Sequence, residues 1–213
     1  ACLSLASCDR GARSGANSGS PAAVTAKPVF GTGTIRGIVK FVGTPPERAT
    51  IANQPCHPGA GPMKDETVIV NANGTLANVL LSLQGIAPSS GSAEPAATLD
   101  QKDCRYVPHV VGLQIDQPLD VKSSDETMHN VHYLASANPP GNFAMMHAGD
   151  ERTLKFDRPE VITFKCDVHP WMTAYVGVFE NPFFAVSSTS DGHFEIDRVP
   201  AGERRGQRGL LDP

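Results

Sequence analysis

Three side chains with affinity for soft metal ions lie within the seven residues CDVHPWM, at positions 166–172. Cys166, His169 and Met172 offer a thiolate, an imidazole and a thioether at C-x2-H-x2-M spacing. A tight loop between two strands can bring all three to one ion, and one more imidazole would complete a trigonal set with a long axial thioether. Thiolate and thioether favour Cu(I) and imidazoles also suit Cu(II), so the residue types indicate a mononuclear electron-transfer copper site.

The second imidazole has two candidates in MHNVH, namely His129 and His132. Residues three apart in a strand point to opposite faces, so only one of the two can reach the loop. Zinc is the competing metal, but structural zinc rarely takes a methionine ligand. A binuclear copper centre would need a second cysteine in the loop, which has only one.

The elements that must position these residues are predicted to be β-strands. From residue 31 onward the chain shows short alternating segments such as GTIRGIVKFVG, PLDVKSS and AYVGVFE, separated by turn residues. Asn73-Gly74 and Asp191-Gly192 are strong hairpin signals. No helical period longer than a turn or two appears, so the pattern predicts an all-β sandwich or barrel.

The two metal-binding segments together resemble one known family. MHNVHY and KCDVHPWMTAYVGV are similar to amicyanin and related plastocyanin-like type 1 copper proteins, the cupredoxins, over roughly residues 100–180. The resemblance implies a Greek-key β-sandwich with a single copper ion, and it leaves His132 on the other face of its strand. Asn130 matches the family's asparagine that ties the two ligand loops together. The implied copper ligands are His129, Cys166, His169 and Met172.

The flanking segments resemble a second family. GTIRGIVKFVGTPPE and TSDGHFEIDRVPAGE are similar to the carboxypeptidase regulatory-like sandwich. This predicts a cupredoxin-like domain over 67–180, combined with a partial second β-sandwich formed by 30–66 and 181–213. ERRGQRGLLDP lacks strand alternation, so we expect the closing strand of this unit to be missing or altered. The segment ANVLLSL fits either unit.

The N-terminal segment predicts a lipid anchor. Residues 5–8 read LASC, which resembles a bacterial lipobox, so residues 1–8 are expected to be the remnant of a signal peptide and Cys8 the lipidated residue. Residues 9–29 have the composition of a disordered tether. The expected location is therefore the periplasm, with the protein anchored to the membrane. The alternative is a disordered leader with an incidental cysteine.

The remaining cysteines predict a disulfide. If Cys8 takes lipid and Cys166 takes metal, Cys56 and Cys104 are left within the folded part, and two such thiols pair in an oxidising compartment. The alternative is a pair of buried reduced thiols. Met145, Met146 and His147 lie on a predicted loop that can close over the site, either as packing neighbours or as auxiliary copper ligands.

The functional prediction is a one-electron carrier that is not itself an enzyme. Its expected partners are redox proteins, either a periplasmic dehydrogenase or a cytochrome c. A net charge of −4 offers no basic patch for phosphates, so no nucleic-acid partner is expected. Two other functions remain open at this point: a copper storage or delivery protein, and a sandwich that binds a partner with incidental metal binding.

Overall fold

The computed structural model describes residues 29–51, 62–89 and 94–202, together with the backbone of 205–209. These residues contain sixteen strands and no α-helix, which confirms the predicted all-β class. The strands are β1 (Gly33–Ile38), β2 (Thr50–Ile51), β3 (Met63–Lys64), β4 (Leu80–Gln84), β5 (Ala97–Lys102), β6 (Arg105–Val107), β7 (Val110–Gln114), β8 (Leu119–Ser123), β9 (His129–Leu134), β10 (Gly141–Met145), β11 (Glu151–Leu154), β12 (Glu160–Lys165), β13 (Thr173–Phe179), β14 (Phe184–Val186), β15 (His193–Val199) and β16 (Arg205–Gly209).

Two sheets form the larger sandwich. One has the order β10-β9-β12-β13-β7 and the other the order β11-β8-β5-β6. Alternate residues of these strands point into one shared core; in β12, for example, Ile162 and Phe164 are fully buried. Burial of each such side chain contributes roughly 1.5–3 kcal/mol to folding. β13 pairs with β7 and β5 with β8 in parallel, and the other pairs of these sheets are antiparallel.

The strand ends bring the predicted metal ligands to one edge of the five-stranded sheet. β9 begins at His129, and the antiparallel β12 ends at Lys165, directly before Cys166. β13 begins at Thr173, so residues 166–172 form the connection between β12 and β13. This connection is closed by two backbone hydrogen bonds, from Cys166 N–H to the Met172 carbonyl (3.1 Å) and from Met172 N–H to the His169 carbonyl (2.9 Å).

A smaller group of strands lies outside these two sheets. β1 pairs with β15, and β4 lies between β14 and β16. The segment ANVLLSL, which fitted either unit, thus contributes β4 to this group. The stretch near the C-terminus that lacks strand alternation nevertheless forms β16, with its backbone paired to β4 from Arg205↔Gln84 to Gly209↔Leu80. A small separate core supports the group, formed by Leu83, Phe183, Ile196 and Val199.

Two glycines allow β14 and β4 to approach the larger sandwich closely. Gly112 in β7 and Gly177 in β13 are register partners. A Cβ atom at Gly112 would lie 2.6 Å from the Phe184 ring, and one at Gly177 would lie 3.0 Å from Leu80 Cδ1. Phe184 also stacks on Phe179 with ring centroids 4.7 Å apart. Glycine within a strand often marks such a close approach.

Several sequence predictions fall on parts of the chain outside the described residues. These are the lipobox with Cys8, nearly all of the tether over 9–29, and Cys56. The predicted Asn73-Gly74 turn is present: Gly74 has φ +77°, and the Asn71 N–H donates to the Thr75 carbonyl at 2.8 Å. Over the described ranges, no helix is long and apolar enough to cross a membrane.

Candidate metal centre

Two imidazoles and a thiol converge where β9 meets the loop between β12 and β13. The Nδ1 atoms of His129 and His169 are 2.9 Å apart, and Cys166 Sγ lies 3.8 Å from His169 Nδ1. His129 and Cys166 are almost completely buried, and His169 is 5% exposed. The structure thus brings together three of the four predicted ligands. Met172, also buried, ends the same loop, and its role as the axial ligand stays a prediction.

The measured separations fit a shared metal ion. Metal–imidazole bonds are about 2.0–2.1 Å long and metal–thiolate bonds about 2.3 Å. Two nitrogens on one ion are therefore at most about 4.2 Å apart, and a nitrogen and a sulfur at most about 4.4 Å. The observed distances of 2.9 and 3.8 Å both lie within these limits. The donor set itself, with one thiolate and two imidazoles, suits copper.

Asn130 connects the two ligand segments. Its backbone N–H donates to Cys166 Sγ at 3.4 Å, and its side-chain oxygen accepts the Asp167 N–H. Its Nδ2 donates to Asn142 Oδ1 at 2.7 Å and to Asp167 Oδ2 at 3.1 Å. The predicted tie between β9 and the cysteine loop is therefore made from both the backbone and the side chain of one residue.

His132 lies on the opposite face of β9 from His129. Its side chain is 28% exposed, and its Nδ1 is 2.9 Å from Asp167 Oδ2. The burial of β9 alternates along its first residues, which places His129 inward and His132 outward. His132 therefore takes part in a surface contact and does not join the imidazole pair at the centre.

Two residues that the sequence analysis did not single out support the centre. Asp125 Oδ2 lies 2.9 Å from His129 Nε2, on the far side of the ring from His169. The single O–H of Tyr106 is shared between the carbonyls of Asn130 (3.1 Å) and Lys165 (3.2 Å), so it links β9 and β12 from the opposite sheet. The position of Asp125, four residues before the predicted ligand His129, was visible in the sequence, but nothing local marked Tyr106.

The electrostatics of the centre favour a thiolate. Burial raises the pKa of the Cys166 thiol, but the neighbouring His129 and the hydrogen bond from the Asn130 backbone N–H outweigh this and bring the pKa below its ordinary value. Burial lowers the pKa of His129, but the neighbouring Cys166 and Asp125 raise it by more. The pKa of His129 is therefore above its ordinary value. Burial and the neighbouring His129 lower the pKa of His169. A thiolate and a neutral His169 are the forms that bind metal.

Cys104 lies close to the centre but is not available as a thiolate. Ligand atoms of Cys104, His129 and His169 lie within 4.8 Å of one another, yet Cys104 is disulfide-bonded. Because a disulfide sulfur is not a thiolate ligand, Cys166 remains the thiolate candidate of the set. The predicted partner, Cys56, lies outside the described residues, so that pairing stays a prediction. Trp171 Nε1–H donates to the Cys104 carbonyl at 3.1 Å, which connects the ligand loop to this position.

The MMH segment divides between the core and the surface. Met145 is buried and is the register partner of His129 across the β9–β10 pair, so the two side chains share one face of the sheet. Met146 and His147 are exposed. Met145 thus lies beside His129, and the assignment of the segment as packing neighbours or as auxiliary ligands stays a prediction.

No family model and no curated protein matches the chain. The solved structures that it resembles are cupredoxins. A Cu(I) form of an amicyanin variant is 18% identical with a TM-score of 0.36, over 46% of this chain and 98% of that one. A purple cupredoxin from Nitrosopumilus maritimus is 18% identical with a TM-score of 0.34, over 39% and 99%. A Cu-containing nitrite reductase from Thermus scotoductus is 18% identical with a TM-score of 0.38, over 46% and 25%. The likeness of the flanking segments to the regulatory-like sandwich stays a prediction.

Proposed function

We propose that this protein carries single electrons through one type 1 copper ion. His129, His169 and Cys166 would hold the ion, with Met172 as the axial ligand. The observation that carries the proposal is the convergence of a thiol and two imidazoles at a buried point, at 2.9 and 3.8 Å. Bound copper would supply one-electron redox chemistry, since this ligand set suits both Cu(I) and Cu(II).

The surrounding residues keep the ligands in place and exclude water. Asn130 ties the cysteine to β9, and backbone hydrogen bonds close the loop that carries His169 and Met172. Ligands held this firmly need little rearrangement when the charge of the centre changes. The burial of the centre also favours a carrier over a storage or delivery protein, because copper exchange would require accessible ligands.

Partner docking is proposed at the edge where His169 lies. His169 is the most exposed of the four proposed ligands, and Val168 and Pro170 on either side of it are exposed, as is Met128 beside His129. Apolar side chains around a redox centre suit transient docking of a redox protein, which we propose to be a periplasmic dehydrogenase or a cytochrome c. We further propose that lipid on Cys8 anchors the protein at the periplasmic membrane. Retention of a Cys8→Ala variant in the membrane fraction would contradict the anchor.

The direct test is the spectrum of the copper-loaded protein. We expect an intense visible thiolate-to-copper band and a narrow parallel hyperfine splitting in electron paramagnetic resonance. Cys166→Ser should abolish the band while the far-ultraviolet circular dichroism of the β-fold is retained. A colourless copper adduct of the unsubstituted protein would overturn the proposal.

We also propose that the protein has no catalytic activity of its own. The copper-loaded protein should exchange one electron per molecule with a cytochrome c and should not consume nitrite in the presence of an electron donor. Sustained nitrite consumption that is lost in Cys166→Ser would show an enzyme instead.

A further inference from the structure

A buried carboxylate lies behind one of the proposed copper ligands. Asp125 Oδ2 is 2.9 Å from His129 Nε2, and the side chains of the two residues are 2% and 0% exposed. The other ring nitrogen of His129, Nδ1, is the atom that faces His169. Asp125 and the proposed metal position are therefore on opposite sides of one imidazole.

Asp125 is held in place by donors from a different part of the chain. Its Oδ1 accepts the Asp103 N–H and its Oδ2 accepts the Cys104 N–H, both at 2.9 Å. Asp103 and Cys104 form the turn between β5 and β6, and both have positive φ, at 56° and 53°. The two consecutive N–H groups of this turn thus point at one carboxylate, as in other anion-binding turns. Turning Asp125 away from His129 would break both hydrogen bonds, and the Cys104 N–H is a buried donor.

The contact determines which nitrogen of His129 is available to a metal. An ionised carboxylate can only accept hydrogen bonds, so the hydrogen of the neutral imidazole lies on Nε2 and the lone pair on Nδ1. A negative charge at one nitrogen also makes the opposite nitrogen a stronger donor. This electrostatic effect is large here because both groups are shielded from water.

We propose that Asp125 is a positioning residue that fixes the Nδ1-binding form of His129 and, through its charge, favours Cu(II) over Cu(I). The inference rests on the proposed copper-carrier function. Its consequence is a lower reduction potential than the same ligand set would have without the carboxylate. It also links the potential to the β5–β6 turn, which contains the disulfide-bonded Cys104.

The test compares the reduction potentials of the copper-loaded wild-type and Asp125→Asn proteins. Loss of the charge should weaken Cu(II) binding relative to Cu(I) by about tenfold to a hundredfold, the range for residues that support a metal ligand. The potential should then rise by about 59 mV for each factor of ten. Glu160→Gln is the control, because it removes a carboxylate at the other end of β12, and its potential should equal that of the wild type.

A structural role alone would give a different result. If Asp125 served only to hold the turn, Asp125→Asn would lower the free energy of unfolding and leave the potential unchanged, and that outcome overturns the proposal. A second measurement uses the wild-type protein, so it tests the proposal even if Asp125→Asn does not fold. In the Zn(II)-loaded wild-type protein, 15N NMR should find the hydrogen of His129 on Nε2, and a hydrogen on Nδ1 overturns the proposal. Failure of the proposed function would show separately, as a wild-type copper adduct without the thiolate band.

Discussion

At the scale of single residues, the centre depends on the alternation of side chains along β9. His129 and His132 are three positions apart, so the strand places one ring in the core and the other at the surface. His129 is enclosed between His169 and Asp125, whereas His132 bonds Asp167 in a partly exposed contact. Two imidazoles close together in the sequence therefore have different surroundings, one buried and one partly exposed.

Substitution of each histidine should separate these roles. His129→Ala removes a proposed ligand and should abolish the visible band of the copper-loaded protein. His132→Ala should keep the band, and it should cost less than about 1 kcal/mol, because a partly exposed side-chain contact contributes little to stability. Absorption spectra and urea unfolding of both variants are the measurements. Loss of the band in His132→Ala together with its retention in His129→Ala would reverse the ligand assignment.

At the scale of elements, Glu160 fixes the end of the β9–β12 pair that is remote from the centre. Its carboxylate accepts the backbone N–H groups of Ser136 (2.8 Å), Ala137 (3.2 Å) and Asn138 (2.7 Å), which follow β9. Cys166 follows Glu160 by six positions along β12, a span of roughly 20 Å. Partial burial raises the pKa of Glu160, but these hydrogen bonds outweigh it and hold the pKa below its ordinary value.

The direction of this shift predicts a pH-dependent contribution to stability. A lowered pKa in the folded state means that the stabilisation is present above the unfolded pKa of about 4.3 and is lost as the pH falls through the folded pKa. Glu160→Gln should therefore lower the free energy of unfolding by about 1–2 kcal/mol at pH 7, allowing for solvent screening. The difference in unfolding free energy between this variant and wild type should shrink at a pH below about 4.3. Urea unfolding at pH 7 and at one such acidic pH measures it. An equal difference at both values would show that the charge of Glu160 does not contribute.

At the scale of the whole molecule, two paired glycines decide how closely the smaller group of strands packs on the larger sandwich. Gly112 and Gly177 leave β7 and β13 without side chains where Phe184 and Leu80 approach. The described structure thus continues from the five-stranded sheet into the strands around β4 without a separating linker at this point. The proposed copper-binding edge lies elsewhere, where β9 begins and β12 ends.

A double-mutant cycle tests this contact. Gly112→Ala places a methyl group 2.6 Å from the Phe184 ring and should cost about 1–3 kcal/mol through overpacking. Phe184→Ala removes the obstructing ring, so the cost of Gly112→Ala should be smaller in that background by about 0.5–3 kcal/mol. Chemical unfolding of the four proteins measures the coupling, and the copper band should persist in all of them. Strictly additive costs would show that the two residues are not in contact.

The sequence alone determined the chemistry and the class of the elements. Thiol, imidazole and thioether within CDVHPWM indicate a soft-metal loop whatever the fold, because ligand preference belongs to the side chains themselves. Period-two alternation and the Asn73-Gly74 turn predicted strands and a tight turn, and both depend on neighbours within a few residues. Alternation also established that His129 and His132 face opposite ways, although only the resemblance to cupredoxins selected His129.

Tertiary structure decided which distant groups surround these residues. Asp125 and His129 are only four positions apart, but the two backbone N–H groups that hold Asp125 in place come from the β5–β6 turn more than twenty positions earlier. The assignment of β4, the pairing of β16 and the approach of Phe184 to Gly112 are likewise long-range contacts. Local patterns show that a strand has two faces, but which face is buried, and against what, depends on partners remote in sequence.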